Sequence, residues 1–176
     1  MGIELKGLVP LSANWHPRDQ FLAITGQNNS ILAIETTDAR HVHGHHLQSV
    51  YPVLAIEFSP DGRMALVGNE FGVVTMFSLS GSAFETAYEL VLPLNKRLAI
   101  QWSLNGLFVV VGTEDSLVVL NKRPEVRGSL FGVRKVIREL GETNAVAIDS
   151  QSHYVAISGA TTKILDATSD FQLVRE

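Results

Sequence analysis

A residue pattern that returns four times constrains this chain more than its size or charge does. Its clearest copy is residues 55–78, AIEFSPDGRMALVGNEFGVVTMFS. Apolar and polar residues alternate in Ala55-Ile56-Glu57-Phe58. There follows Ser59-Pro60-Asp61-Gly62, where proline pre-sets one backbone angle and glycine accepts a positive φ. Met64-Ala65-Leu66-Val67 then runs to Gly68, and Val73-Val74-Thr75-Met76-Phe77 follows Gly72. Such runs, bounded by turn residues, predict three short strands. Residues 13–35 repeat the unit with Trp15 in place of Phe58 and Pro17 in place of Pro60. Residues 99–121 repeat it with Trp102, Asn105-Gly106 and Phe108 to Val111, and residues 145–166 with Ile148 and Tyr154 to Ile157.

The anchors Trp15, Phe58, Trp102 and Ile148 lie 43, 44 and 46 residues apart. A period in the low forties, with four short strands per unit, marks the blades of a β-propeller. A β-sandwich also spaces short strands evenly, but it does not repeat the same residues in register. The middle runs FLAI, MALV, FVVV and YVAI are apolar at successive positions. Both of their faces must therefore be buried, as in a blade stacked between neighbours. Ala23, Ala65 and Ala156 suit close stacking, and Trp15 and Trp102 read as anchors in the blade core. Fourth strands are expected at residues 88–92, 133–140 and 171–174, and in the first unit at 39–42 or 47–50. Residues 3–9 could form a further strand. The fold class is thus all-β: residues 1–176 form one propeller array of about four blades of four antiparallel strands. Its units lie near 13–50, 55–92, 99–140 and 145–176.

These residues resemble the WD-repeat (WD40) family. Phe58-Ser59-Pro60-Asp61-Gly62 is similar to its first strand and turn, Ile164-Leu165-Asp166-Ala167 to a degenerate form of its closing Trp-Asp strand, and Gly44-His45 to its Gly-His dipeptide. The resemblance runs from Ala13 onward. The Trp-Asp pair itself is replaced by Ile34-Glu35, Phe77-Ser78 and Leu120-Asn121, and only Asp115 matches the family's Asp of the second turn. The family's His-Ser-Asp-Trp network is therefore incomplete in every unit, and packing has to take its place. Bacterial propellers with lactonase-like or translocation-associated repeats form a related class. The resemblance implies a non-catalytic scaffold that offers loops on one face to a protein or peptide partner. The contact candidates are Arg18, Asp19, Glu70, Phe71, Glu114 and Asp115, with loops 41–51 and 95–97. Phe71, an aromatic in a polar turn, suits a hot-spot anchor, or else packs on a neighbouring blade. Four units fall short of the seven or so that close a ring in the family, so the array is a partial propeller or half of a larger ring. An open array exposes blade faces and edges, which invites self-association or a second chain; a four-bladed ring is the alternative.

With 45% apolar residues, 18% charged residues and a formal charge of −4, the 176 residues can bury a core and show no global bias towards nucleic acid or anionic membranes. The absence of cysteine excludes disulfides, thiolate zinc sites and a cysteine nucleophile. It suits an intracellular location, cytoplasmic or nuclear. No signal peptide is expected, Lys6 stands where a myristoylation motif needs Ser or Thr, and the apolar runs are too short to span a membrane.

His41, His43, His45 and His46 would set imidazoles along an extended segment, as a metal site could use, or else belong to a solvated loop. With no carboxylate inside or just after the cluster, the expectation is no metal and no cofactor. Lys122, Arg123, Arg127, Arg134, Lys135 and Arg138 form a basic stretch, read as a charged guard on an outer strand. No catalytic constellation has a specific spacing, so no enzyme is expected. The alternatives are a propeller-type metal-dependent hydrolase, or binding of anionic lipid or nucleic acid through residues 122–138.

Overall fold

The computed structural model describes residues 9–18, 20–27, 29–35, 42–46, 52–80, 83–92, 99–122, 131–138, 140–141 and 143–176. These residues form four antiparallel sheets of four strands each and, among them, no helix. Blade 1 comprises β1 (Pro10–Trp15), β2 (Phe21–Gly26), β3 (Ser30–Glu35) and β4 (Val42–His46). Blade 2 comprises β5 (Val53–Phe58), β6 (Met64–Asn69), β7 (Val73–Ser80) and β8 (Ala83–Val91). Blade 3 comprises β9 (Ala99–Trp102), β10 (Phe108–Gly112), β11 (Ser116–Lys122) and β12 (Phe131–Arg138). Blade 4 comprises β13 (Ala145–Ile148), β14 (Tyr154–Ser158), β15 (Thr162–Asp166) and β16 (Gln172–Arg175). Each sheet runs in simple sequence order, as hairpins dictate. Two compact units result: unit 1, Met1–Leu92, holds blades 1 and 2, and unit 2, Pro93–Glu176, holds blades 3 and 4.

The repeat read from the sequence is a repeat of register. Trp15 pairs with Leu22, Phe58 with Ala65, Trp102 with Val109 and Ile148 with Val155. In unit 1 the face of blade 1 that carries Phe21, Ala23, Ile31 and Ala33 packs against Val53, Ile56, Phe58, Ala65, Val67, Phe77 and Phe84 of blade 2. In unit 2 Phe108, Val110, Leu117 and Val119 of blade 3 pack against Val155, Ile157, Leu165 and Phe171 of blade 4. Within each unit, the anchor residue of the second blade faces the first blade, and the first and third residues of the first blade's second strand face the second blade.

Three expectations need correction. The fourth strand of blade 1 is Val42–His46, which shares only Val42 with the first segment expected and ends before the second, because its backbone pairs with β3, with His43 opposite Ala33. Histidine and glycine carry little strand signal, so pairing rather than propensity decides there. Trp15 is no core anchor: it is 54% exposed, whereas Trp102 is buried. The reason is that Trp15 stands on the face of blade 1 turned away from blade 2. Finally, β14 is not buried on both faces, since Tyr154 and Ser158 are exposed while Val155 and Ile157 are buried. Only one side of blade 4 is covered by blade 3. Residues 3–8 lie outside the described residues.

Candidate functional site

Side chains brace several of the described hairpin turns at the ends of each sheet. In the β5–β6 turn, Ser59 Oγ donates to Asp61 Oδ1 at 2.7 Å and accepts the Met64 N–H at 3.0 Å, and Asp61 Oδ1 also accepts the Arg63 N–H at 3.0 Å. Side chains thus satisfy backbone donors that the ladder leaves unpaired. The β9–β10 turn repeats this with Asn105 for aspartate: Ser103 Oγ donates to Asn105 Oδ1 at 2.8 Å, which accepts the Leu107 N–H at 3.0 Å.

In blade 1, histidine replaces that serine. His16 is buried, stacks on Phe21 at 4.9 Å and meets Phe58 edge-on at 5.5 Å. Its Nδ1 accepts the Arg18 N–H at 3.3 Å and its Nε2 lies 2.8 Å from the Gly62 carbonyl oxygen, so Nε2–H is the donor. Gly62 has φ +67°, and a Cβ there would lie 2.5 Å from His16 Nε2. The turn glycine read from the sequence therefore has a second role: it admits the ring that staples blade 1 to blade 2.

Arg18 is exposed at this end of unit 1, and Asp19 lies outside the described residues. Glu70 and Phe71 occupy the β6–β7 turn, at the other end of β6 and roughly 20 Å away by strand rise. There Asn69 Oδ1 accepts the N–H groups of Phe71 and Val73 at 3.0 and 3.1 Å, which fixes the tip. Phe71 is 52% exposed. The one-face arrangement expected for the contact candidates thus fails within unit 1, because successive hairpin turns fall at opposite ends of an antiparallel sheet. In unit 2, Glu114 and Asp115 are exposed in the β10–β11 turn, and Asp115 Oδ1 accepts the Ser116 hydroxyl at 3.1 Å. The opposite end carries two apolar tips that sequence reasoning missed, Leu104 and Leu107, 62% and 56% exposed. Their signal was present, a leucine on either side of Asn105-Gly106, but leucine in a turn also reads as the start of a strand.

A second feature missed in the sequence is Glu57. It sits on β5 one residue before the anchor Phe58, at the repeat position that Asn14 holds in blade 1 and Gln101 in blade 3. Asn14 Nδ2 donates to Glu57 Oε2 and, at 3.3 Å, to the Ile56 carbonyl. Burial pushes the Glu57 carboxyl up to about 7, against the lowering effect of the Asn14 hydrogen bond. A carboxyl that is half ionised near neutrality can take up and release protons. A polar residue recurring at one register position was the available clue.

On β12, Arg134 and Lys135 reach Asp170 of blade 4 at 3.1 and 2.9 Å, and the Arg134 guanidinium lies over the Phe171 ring at 5.4 Å. The Lys135 hydrogen bond, with the charges of both cations, holds the Asp170 carboxyl below its ordinary range. Two of the six cations of the basic stretch, Arg134 and Lys135, thus clamp one blade to the next, while Arg123 and Arg127 lie outside the described residues. So does His41; the other three histidines of the cluster lie on β4. Among the described residues no three His, Asp or Glu side chains gather as a metal site would require, and no helix is long and apolar enough to cross a membrane.

Two solved structures resemble this one. A provisionally assigned 6-phosphogluconolactonase from Bacteroides uniformis matches with TM-score 0.79 at 15% identity, over 94% of this chain and 53% of its own. The β-propeller domain of Cps50 (Swd1) from Myceliophteria thermophila matches with TM-score 0.77 at 16% identity, over 96% of this chain and 59% of its own. The fold is that of a β-propeller. The chain spans just over half the length of each of these propellers. No protein-family model and no curated protein sequence matches it.

Proposed function

We propose that the chain is a non-catalytic scaffold of the WD-repeat type that binds protein or peptide partners through its hairpin tips, within a larger assembly inside the cell, in cytoplasm or nucleus. The observation that carries this reading is the exposed Phe71 on a tip whose backbone is fixed by Asn69. An exposed aromatic on a braced backbone suits the centre of an interface, because the tip has little backbone freedom left to lose on binding. The Cps50 (Swd1) domain supports the reading at the level of fold alone. A photo-crosslinking residue in place of Phe71 should give one discrete protein adduct in cells. The same probe at exposed Glu89 of β8 should not give it. Identical adducts from both positions would sink the proposal.

One observation favours a second reading, a hydrolase: Glu57, with its raised pKa, is suited to general-base activation of water. The 6-phosphogluconolactonase among the similar folds makes a sugar lactone the substrate to try first. Turnover by the purified chain that disappears in Glu57→Gln would establish this reading and displace the scaffold.

A further inference from the structure

Blade 1 packs on blade 2, and blade 4 on blade 3, through one face each, and these junctions show what the other faces of blades 1 and 4 accept. Phe21 of blade 1 and Phe108 of blade 3 open the second strand of their blades, as Tyr154 does in blade 4. In unit 1, Phe21 is covered by the anchor Phe58 of the next blade, in a T-shaped contact at 5.5 Å. In unit 2, Phe108 lies in one cluster with the anchor Ile148 of the next blade. Tyr154, at the same repeat position, remains 47% exposed. With Ala147, Ala156, Ile164 and Val174 it lines an apolar groove of about 500 Å³ on the outer side of blade 4. The register matches that of the covered face: Ala156 pairs with Ile164 as Ala23 pairs with Ala33.

The complementary half is on the same chain. Trp15 holds the anchor position of blade 1, equivalent to Phe58, and stands 54% exposed on a face where Leu22 and Leu32 are half-buried and Ile24 and Ile34 are buried. An exposed tryptophan and an apolar groove of this kind are unusual on a monomer's surface. We infer that the chain associates head to tail with a second copy of itself, Trp15 of one copy seating on Tyr154 of the other as Phe58 seats on Phe21. The chain matches 53% and 59% of the two propellers of similar fold, so two copies together would carry a comparable number of blades. The contact joins two different surfaces, so it is heterologous: it closes a ring if the rotation allows and otherwise extends. This inference does not rest on the scaffold reading.

Complementary variants provide the test. Light scattering after size exclusion should give a mass at a multiple of 19.2 kDa for the wild-type chain, rising with concentration. Trp15→Glu and Tyr154→Lys should each run as folded monomers, with thermal unfolding close to wild type because both side chains are exposed. Mixed together, the two should recover a dimer, since one retains a sound Trp15 face and the other a sound Tyr154 face. On association Trp15 emission should shift to the blue, a change absent in Trp15→Phe. A wild-type chain that stays monomeric at all concentrations, an assembly that both single variants leave intact, or a mixture that fails to recover the dimer would each overturn the inference.

Discussion

In unit 1 the junction between blades is aromatic, and in unit 2 it is largely aliphatic. Phe21, Phe58, Phe77 and Phe84 form a network of edge and tilted contacts between 5.5 and 6.5 Å, with His16 stacked at its end. Unit 2 has the cross-blade aromatic pair Phe108–Phe171 at 5.5 Å, and its junction is otherwise mostly valine, isoleucine and leucine. At the polar margins the contrast continues. Unit 1 joins its blades through a buried histidine and the Asn14–Glu57 pair, and unit 2 through solvent-facing cations on Asp170. One repeat can therefore be held together by different chemistry in different copies, provided volume and register are kept. Aromatic rings need mutual geometry to interlock, whereas branched aliphatic side chains adapt, so unit 1 should be the less tolerant of change.

The largest effect should come from the anchors. Phe58→Ala removes a ring from the centre of the network and should destabilise unit 1 by about 3–5 kcal/mol. Ile148→Ala at the same position in unit 2 should cost about half as much, because its site is half exposed. Chemical denaturation followed by near-ultraviolet circular dichroism would compare them; equal losses would break the contrast between the units.

Next come the two turn glycines, which have nearly equal backbones, φ +67° at Gly62 and +69° at Gly106. Alanine at Gly106 meets no atom within 4 Å and should cost only the left-handed penalty, about 1 kcal/mol. Alanine at Gly62 must also displace the His16 ring and should cost about 2–3 kcal/mol. If both variants lose the same stability, the histidine staple contributes nothing.

A smaller, pH-dependent difference belongs to Glu57. Its folded pKa of about 7 lies above its ordinary value, so the folded state binds more protons than the unfolded one between those limits. Its stabilising share is complete below the ordinary carboxylate value and is lost as pH rises through about 7. Allowing for solvent around a half-buried group, that loss is about 1–2 kcal/mol. Glu57→Gln should flatten the Tm–pH profile between pH 5 and 8 and raise Tm at the alkaline end. A profile unchanged by the substitution would show that the carboxyl titrates normally.

The smallest effect is expected at Asp170. Its partners are solvent-facing, so Asp170→Asn should leave Tm nearly unchanged at physiological salt and lower it slightly only at low salt.

How much of this was legible depended on whether a residue's role was local. Ser59, Asp61 and Gly62 were readable as a turn because their hydrogen bonds close within five residues. The strand patterns of β2, β6 and β10 were readable because burial on both faces leaves an unbroken apolar run. Glu57 was passed over because its pKa is set by burial in the folded chain, and then by Asn14, 43 positions away. The pairing of Arg134 and Lys135 with Asp170 was hidden for the same reason, and the charges could be read only as a guarded edge.

By itself the sequence determined an all-β array of four repeats, its register and its anchor positions, because turn chemistry and apolar periodicity act over a few residues and recur. The tertiary structure decided which copies of an equivalent residue are covered. Trp15, Phe58, Trp102 and Ile148 occupy one repeat position, yet Trp15 stands in water and Phe58 in the core. Local sequence sets the direction in which a side chain points, but burial depends on whether another sheet lies there. That second sheet is supplied by residues far along the chain, or by none at all.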